Sequence, residues 1–392
     1  MHDIIIVGAR CAGAPTAMLF ARAGYRVLLL DRATFPRDTL STLYIHQPGI
    51  ALLDRWGLRE TLVESGAPPI TSALHQVEDV VLRGCCAPVN GIRAAFAPRR
   101  LVLDQILLDA AVAAGVEFRQ GHGVDEVLFD PAGRAVGVRC GAERLTARLV
   151  VGADGMRSRV AAAVGAEVEV SHPELTCVYY SFFAGVPAGF EAYGGAGTWA
   201  GCVPTHDGLT LVGAYFPQAD YARVRHAAQE EYLANIRRAC PDLHERVMAG
   251  TQEERLYGSG AQRNFFRRAS GPGWALVGDA GHHKDSILAN GITDAFRQAE
   301  LLVSCVDQDL HDEPALAAAL ARFARERARL FTAAYRNTLA VARLEPARRL
   351  PAMRAMADDP AQVELFFTKM AGATRDDDLL RAAPALTARP PA

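Results

Sequence analysis

The start of the chain alternates between apolar runs and a helical stretch. Ile4 to Val7 form a continuous apolar segment, which is typical of a parallel strand buried on both faces. The helix that follows Gly13 is expected to end near Gly24, and Arg26 to Leu30 form a second apolar run. This pattern predicts a strand–helix–strand unit.

Two later segments repeat an apolar run that ends in a glycine–acid turn: "ARLVVGADG" and "GWALVGDAG". Between them, segments such as "LTCVYYSFFAGV" and "LTLVGAYF" alternate as half-buried strands do, around one predicted helix in "AAQEEYLANIRRA". Everything after Gly291 has helical periodicity. We therefore predict an α/β fold in which a mostly antiparallel sheet interrupts a discontinuous first domain and helices follow.

Composition narrows the function classes. With 392 residues the chain is long enough for two domains, and a net charge of −2 does not indicate a nucleic-acid partner. No apolar stretch is long enough for a membrane span or a signal peptide, so we expect a cytoplasmic protein without integral membrane association. The eight cysteines lack metal-ligand spacing, which predicts reduced thiols and no metal site.

The turn after the first apolar run has the spacing of a dinucleotide-binding motif. Gly8 would allow the tight turn and Gly13 the packing of helix on strand, while Arg10 occupies the place of the middle glycine. Asp31, at the end of the second run, is placed to accept a ribose hydroxyl. An ordinary βα turn is the alternative, and NAD and FAD fit this unit equally well. The predicted cofactor residues of the unit are Gly8, Arg10, Cys11, Ala12, Gly13, Asp31 and Arg32.

Two further segments favour FAD: "VVGADGMRSRV" and "WALVGDAGHHKDSILANGITDAF". A simple NAD dehydrogenase has no use for a second and a third strand–turn–helix acid site. Together with the opening unit, they resemble the three fingerprints of FAD-dependent monooxygenases of the para-hydroxybenzoate hydroxylase type, which are related to geranylgeranyl reductases and flavin halogenases. The resemblance implies a Rossmann-like FAD-binding domain with an inserted, mostly antiparallel β-sheet substrate domain and C-terminal helices.

The resemblance also implies further cofactor contacts. In the family, the acids at the positions of Asp154 and Asp279 lie near the flavin pyrophosphate and the ribityl chain. Arg100 resembles an arginine that pairs with the pyrophosphate, although a solvated helix-start arginine is an equal alternative. The implied contacts are Arg100, Asp154, Gly155, Gly278, Asp279, Ala289, Asn290, Gly291 and Ile292. The implied domains are FAD-binding residues 1–70, 98–165 and 265–300, substrate-binding residues 71–97 and 166–264, and a helical region 301–392.

The implied reaction uses reduced flavin and O2. In the family, a flavin C4a-hydroperoxide passes oxygen to a small molecule, here expected to be apolar or aromatic and part of secondary metabolism. NADH or NADPH would be the transient reductant, with a separate flavin reductase as the alternative, and the chain would act as a monomer or homodimer. Candidate catalytic residues are His46, His282, Lys284 and Asp285. Core histidines and an ordinary ion pair are the structural alternatives.

The inserted sheet is expected to form the substrate wall. Strand alternation would place half of its aromatic side chains on the inner face. The candidates are Tyr180, Phe182, Trp199 and Tyr215. Such residues are more often plain core than ligand wall.

Departures from the family pattern bear on the reaction. Ala161 stands where the family often has an arginine, and Ser286 stands where a proline is usual. Halogenases carry a second tryptophan where "WAGCVP" has Gly201, and neither Lys284 nor Lys369 lies in the early region where they place a lysine, so halogenation is not favoured. A flavin-dependent reductase of prenyl or alkene double bonds, a NAD dehydrogenase and a non-catalytic flavin-binding module are the other readings.

Overall fold

The computed structural model describes residues 2–373, which form four β-sheets and twelve α-helices. This architecture confirms the predicted α/β class. The last part of the predicted helical region 301–392 lies outside the described residues. Within residues 2–373, no helix combines the length and the apolar character that crossing a membrane requires.

The strands include both continuous apolar and alternating segments. In chain order they are β1 (Ile4–Val7), β2 (Val27–Asp31), β3 (Ala73–Val77), β4 (Val80–Gly84), β5 (Glu117–Gln120), β6 (Glu126–Phe129), β7 (Ala135–Cys140), β8 (Glu143–Thr146), β9 (Leu149–Gly152), β10 (Val168–His172), β11 (Thr176–Ala184), β12 (Phe190–Gly195), β13 (Thr198–Pro204), β14 (Thr210–Pro217), β15 (Thr251–Gln252), β16 (Tyr257–Ser259), β17 (Asn264–Arg267), β18 (Ser270–Gly271), β19 (Trp274–Leu276) and β20 (His282–His283).

The helices of the described part are α1 (Gly13–Arg22), α2 (Gln47–Arg55), α3 (Arg59–Glu64), α4 (Arg100–Ala113), α5 (Arg159–Ala163), α6 (Tyr221–His226), α7 (Ala228–Ala239), α8 (Pro241–Ala249), α9 (Gly291–Val306), α10 (Glu313–Ala342), α11 (Leu350–Met356) and α12 (Pro360–Met370). The prediction of one helix among the strands of the inserted domain is wrong, since α6, α7 and α8 all lie there. The start of α8 is marked by Pro241 in its first turn and by the Cys240 side chain, which accepts the Leu243 N–H over 3.4 Å.

A six-stranded sheet, in the order β18–β19–β9–β1–β2–β5, carries the first domain. All neighbouring strands are parallel except β18 and β19. Val7 pairs with Leu30 of β2 and with Gly152 of β9, and Gly152 also pairs with Leu276 of β19. The carboxyl ends of β19, β9, β1 and β2 therefore lie side by side, where open α/β sheets bind their ligands.

An eight-stranded sheet forms the inserted domain, in the order β15–β11–β14–β13–β12–β3–β4 with β16 beside β11. It is antiparallel except for the β12–β3 pair. One face packs on α7 and α8, where the Tyr232 hydroxyl donates to the Val212 carbonyl over 2.9 Å. The opposite face packs against first-domain residues such as Tyr44 and Ala289.

The remaining sheets are small, and the C-terminal helices close the molecule. Strands β6, β7 and β8 form an antiparallel meander, and β10, β17 and β20 form a second three-stranded sheet. Helix α9 packs between α1, α2 and α10, and α12 packs on β4. Because the Asn290 amide donates to the Met370 carbonyl over 3.0 Å, the start of α9 is tied to the end of α12.

Candidate active site

The turn between β1 and α1 leaves no room for side chains at two glycines. Gly8 has a φ of +103°, and a Cβ on it would lie 2.5 Å from the carbonyl oxygen of Ala153. A Cβ on Gly13 would overlap the carbonyl of Gly8. Helix α1 begins here with no side-chain cap and no acid in its first turn. The positive dipole end of the helix suits an anion such as a pyrophosphate.

The three motifs meet at this turn. Ala153, from the second motif, lies against Gly8, and a Cβ on Gly278, from the third, would be 2.7 Å from the Cβ of Ala12. Arg267 bridges the later two motifs, since its guanidinium donates to the Ala280 carbonyl over 2.7 Å and to the Met156 carbonyl over 3.2 Å. Three distant parts of the chain therefore form one surface. Neither Arg267 nor its bridging role was predicted, because no motif contains it.

Asp31 lies at the end of β2, beside this turn. Its two carboxylate oxygens accept the N–H groups of Ala9 and Ala33, each over 2.8 Å. A carboxylate has about four acceptor positions, so two are left for ribose hydroxyls. The neighbouring Arg32 is exposed.

Arg10 turns away from the glycine turn toward a buried acid. It donates to Asp104 over 2.7 Å, and Arg100 donates to the same carboxylate over 2.9 Å. The thiol of Cys11 also donates to Asp104 over 3.3 Å, and burial raises the pKa of this thiol. Two guanidinium groups share one carboxylate, which leaves a net positive charge beside the turn. Asp104 was missed, although its place four residues after Arg100 on α4 is a usual ion-pair spacing.

The acids of the later motifs differ in their freedom to bind a ligand. Asp154 accepts the Ser158 hydroxyl over 2.5 Å and the Arg159 N–H over 2.7 Å, so both of its oxygens cap the start of α5. Ala161, the residue that replaces an arginine of the family pattern, is buried in α5. Asp279, in contrast, is exposed. Burial lowers the pKa of Arg100, but the nearby negative groups, Asp104 and Asp279 among them, outweigh this effect. The pKa of Arg100 is therefore raised overall.

Lys284 pairs with an acid other than its sequence neighbour. Its Nζ lies 2.7 Å from the carboxylate of Asp294 in the first turn of α9, and both side chains are at least 90% buried. Asp285 instead accepts the Thr176 hydroxyl over 2.7 Å and the Ile287 N–H over 3.1 Å. Burial raises the pKa of Asp285 to about 6. The sequence alone suggested the adjacent pair because it does not show how the loop folds back on α9.

The two candidate histidines lie in different surroundings. The Nε2 of His46, just before α2, lies 2.9 Å from the carbonyl of Leu288, so it carries the proton and donates it. Burial lowers the pKa of His46 to about 4, which leaves the ring neutral near pH 7. His282 is stacked on Phe266 with ring centroids 4.2 Å apart and contacts Phe331 of α10. His282 therefore lies in an aromatic part of the core.

The four candidate substrate residues lie on one face of the eight-stranded sheet. Tyr215 pairs with Trp199 of β13 and with Val178 of β11, and Tyr180 and Phe182 follow Val178 at alternate positions. This is the face directed at the first domain. A small cavity next to it is lined by other residues, among them Tyr44, His46, Cys85, Phe190, Phe367 and Met370. Its lining by α12 could not be predicted, because the sequence does not show where a C-terminal helix packs.

Comparisons with known proteins identify the family of this chain. A family model described as FAD binding domain matches residues 1–338. The chain is 24% identical to the flavin-dependent halogenase armH1 of Armillaria mellea over 325 residues, or 74% of this chain and 62% of the relative. It is 30% identical to rifampicin monooxygenase of Streptomyces venezuelae over 185 residues, or 42% of this chain and 34% of the relative. The chain thus spans less than two thirds of either relative.

Solved structures share the fold. The flavin-dependent brominase Bmp2 superposes with a TM-score of 0.82 at 17% identity, covering 97% of this chain and 98% of that one. The FAD-dependent monooxygenase PqsL of Pseudomonas aeruginosa, described as probable, gives a TM-score of 0.75 at 21% identity, covering 94% of this chain and 99% of that one. At these identities the likeness concerns the architecture alone.

Proposed function

Because this chain belongs to the family described as FAD binding domain, we propose that it is an FAD-dependent monooxygenase that oxidises a small apolar or aromatic molecule. O2 is the second substrate in this proposal. NADH or NADPH supplies the electrons, directly or through a separate flavin reductase. The rifampicin monooxygenase among the relatives supports the reaction class and a place in secondary metabolism.

The packing of the three motif turns around Gly8 is the observation that carries the proposal. The glycine turn and the uncapped start of α1 would hold the pyrophosphate, with Arg10 and Arg100 supplying positive charge. Asp31 would accept ribose hydroxyls, and exposed Asp279 would accept those of the ribityl chain. The segment Ala289 to Ile292, at the start of α9, would border the ring.

Bound FAD supplies two-electron transfer and the activation of O2. Around it, this chain's residues bind, orient and exclude water. Neutral His46 uses its N–H on the Leu288 carbonyl, so it offers the lone pair of Nδ1 as an acceptor. Lys284 is held by Asp294 at the start of α9, where it places a buried positive charge. The aromatic face of the large sheet would keep the site dry.

Halogenation is the second candidate, because armH1 and the brominase Bmp2 are among the similar proteins. Two features of this chain weigh against it. Trp199 folds over Gly201, where halogenases carry a second tryptophan, and a Cβ there would lie 2.6 Å from its ring. Lys284 is engaged with Asp294, and Lys369 is exposed on α12.

The test is oxygen consumption by the FAD-loaded chain with NADH or NADPH, with and without candidate phenols and alkenes. A monooxygenase gives substrate-dependent oxygen uptake and a product heavier by one oxygen atom. Alkene reduction without oxygen uptake, or a halogenated product when bromide is present, would replace the proposal. A flavin that neither NAD(P)H nor an added flavin reductase can bleach would indicate a binding module.

A further inference from the structure

The loop after β20 carries an unbroken hydrogen-bonded chain that the proposed cofactor chemistry does not use. The Tyr215 hydroxyl lies 2.8 Å from the Ser286 hydroxyl, which lies 2.5 Å from Oε1 of Gln262. The amide nitrogen of Gln262 lies 2.8 Å from the Thr176 hydroxyl, and that hydroxyl lies 2.7 Å from Oδ2 of Asp285. The chain thus links the substrate sheet to the loop of the third motif.

The direction of these bonds is set by one backbone group. The N–H of Ser286 donates to Oε1 of Gln262 over 3.1 Å. Because a backbone N–H only donates, this amide oxygen must face Ser286 and the amide NH2 must face Thr176. The Ser286 hydroxyl gives its single proton to the same oxygen and so accepts from Tyr215. Thr176 accepts from Gln262 and gives its proton to Asp285.

Tyr215 therefore has no proton left for a ligand. We propose that its phenol oxygen is a fixed hydrogen-bond acceptor that selects substrates carrying an O–H or N–H donor over similar molecules without one. The inference rests on the proposed function, because it takes the sheet face that bears Tyr215 as the substrate wall. A site built to accept a hydrogen bond rejects an analogue that cannot donate, since its buried acceptor is then left unpaired.

The surroundings of Tyr215 fit a hydroxyl-bearing ligand. Trp199 lies across from it with ring centroids 5.0 Å apart, and its buried indole N–H has no hydrogen-bond partner within residues 2–373. Between the aromatic side chains, a Cβ on Gly213 would meet no atom closer than 3.9 Å, so the face leaves room for a methyl group at this point. An unpaired donor and a fixed acceptor on neighbouring strands suit a group that both accepts and donates, as a hydroxyl does.

The arrangement depends on Ser286. A proline at this position, as in the family pattern, would remove both the backbone N–H and the hydroxyl. An alanine would keep the N–H and remove only the acceptor for the Tyr215 proton. In Ser286→Ala, Tyr215 is free to turn its proton toward a ligand, so this variant should accept molecules that the unchanged protein disfavours.

The experiment compares 2-naphthol with 2-methoxynaphthalene, which lacks the donor. Dissociation constants are measured by isothermal titration calorimetry on the oxidised, FAD-loaded protein without reductant, so no turnover is needed. We expect about tenfold preference for 2-naphthol beyond the ratio in Tyr215→Phe, which reports molecular size alone. Ser286→Ala should lose most of that preference through tighter binding of the ether. Tyr193→Phe, whose hydroxyl donates to Glu191 over 2.6 Å, lies on the other face and should match the unchanged protein.

Equal ratios in the unchanged protein and in Tyr215→Phe would overturn the inference, as would an FAD-loaded protein that binds neither probe. The proposed function fails differently, through an FAD-loaded chain that consumes no oxygen with any candidate substrate. The calorimetric ratio is still measurable on such a chain. A preference that Ser286→Ala leaves untouched would show that the hydrogen-bonded chain does not set it.

Discussion

The three motif turns and the aromatic face of the large sheet are held together by different kinds of contact. At the turns, backbone meets backbone, as Gly8 does against Ala153, and a single methyl group has no room. On the face, side chains meet side chains, as Trp199 does against Tyr215. Substitutions at the turns should therefore remove cofactor binding, whereas substitutions on the face should change which ligand binds.

Charge separates the two regions further. The turns carry two arginines, Arg10 and Arg100, around the buried carboxylate of Asp104. The face presents aromatic rings and neutral hydroxyls, and the nearby acid, Asp285, accepts hydrogen bonds from Thr176 and Ile287 behind it. An anionic cofactor suits the first environment and an uncharged substrate the second.

Gly8→Ala should have the largest effect. The added methyl group would meet the Ala153 carbonyl in a backbone conformation that alanine rarely adopts, so we expect FAD affinity to fall by about 100-fold or more. Gly24→Ala is the matched control, since Gly24 has a φ of +93° but nothing within 4 Å of a Cβ. It should lose about 1 kcal/mol of stability and keep its FAD. Fluorescence titration with FAD measures the affinity of both variants. Equal losses of affinity in the two variants would contradict the role of close packing.

Arg267→Gln tests whether the turns need to be held together. Its loss leaves the buried carbonyl of Ala280 and the partly buried carbonyl of Met156 without their donors, so we expect about 2 kcal/mol less stability and about tenfold weaker FAD binding. The control is Arg268→Gln, because the Arg268 side chain forms an exposed ion pair with Glu167 at 3.4 Å. Urea unfolding and FAD titration are the measurements. Similar behaviour of the two variants would show that the bridge is dispensable.

Asp285→Asn examines the acid behind the aromatic face. Burial raises the pKa of this carboxyl from 3.8 to about 6, so the folded protein binds the proton more tightly than the unfolded chain. Its contribution to stability is therefore most favourable below pH 4 and is lost as the pH rises to about 6, a change of about 2 to 3 kcal/mol. The difference in unfolding free energy between the two proteins should shift by that amount across this window. Parallel pH profiles would contradict the assignment.

Asp154→Ala should have the smallest effect. Because both oxygens of Asp154 cap α5, the variant should lose about 1 kcal/mol of stability while FAD affinity changes less than about threefold. Ser158→Ala, which removes the partner hydroxyl and the N-cap of α5, should behave alike. Thermal unfolding and FAD titration distinguish a cap from a ligand. A large loss of FAD affinity in Asp154→Ala alone would make this acid a cofactor contact.

The parts of the site that are formed by residues close together in the sequence could be predicted from it. Gly8, Gly13 and Asp31 belong to one contiguous strand–helix–strand unit, so their spacing locates the turn. The direction of the Arg10 side chain could not be predicted, because its partner, Asp104, lies 94 residues further along the chain. Whether these residues contact FAD stays a prediction.

The same limit applies near the aromatic face. Strand alternation predicted that Tyr180 and Phe182 share a face, since the period of a strand is local. The pairing of Lys284 with Asp294 depends on a loop that folds back onto α9. No periodic pattern in the sequence indicates such a fold of the loop. The bond between Tyr215 and Ser286 joins β14 to the loop before α9, elements far apart along the chain, so it could not be predicted from the sequence.

If three separated chain segments hold one FAD, the visible spectrum of the purified protein will show the bound flavin. The protein is incubated with FAD, freed of unbound cofactor by gel filtration, and its flavin content is compared with its protein content. We expect a yellow protein with about one FAD per chain. A colourless protein that retains no FAD but binds NAD tightly would contradict it.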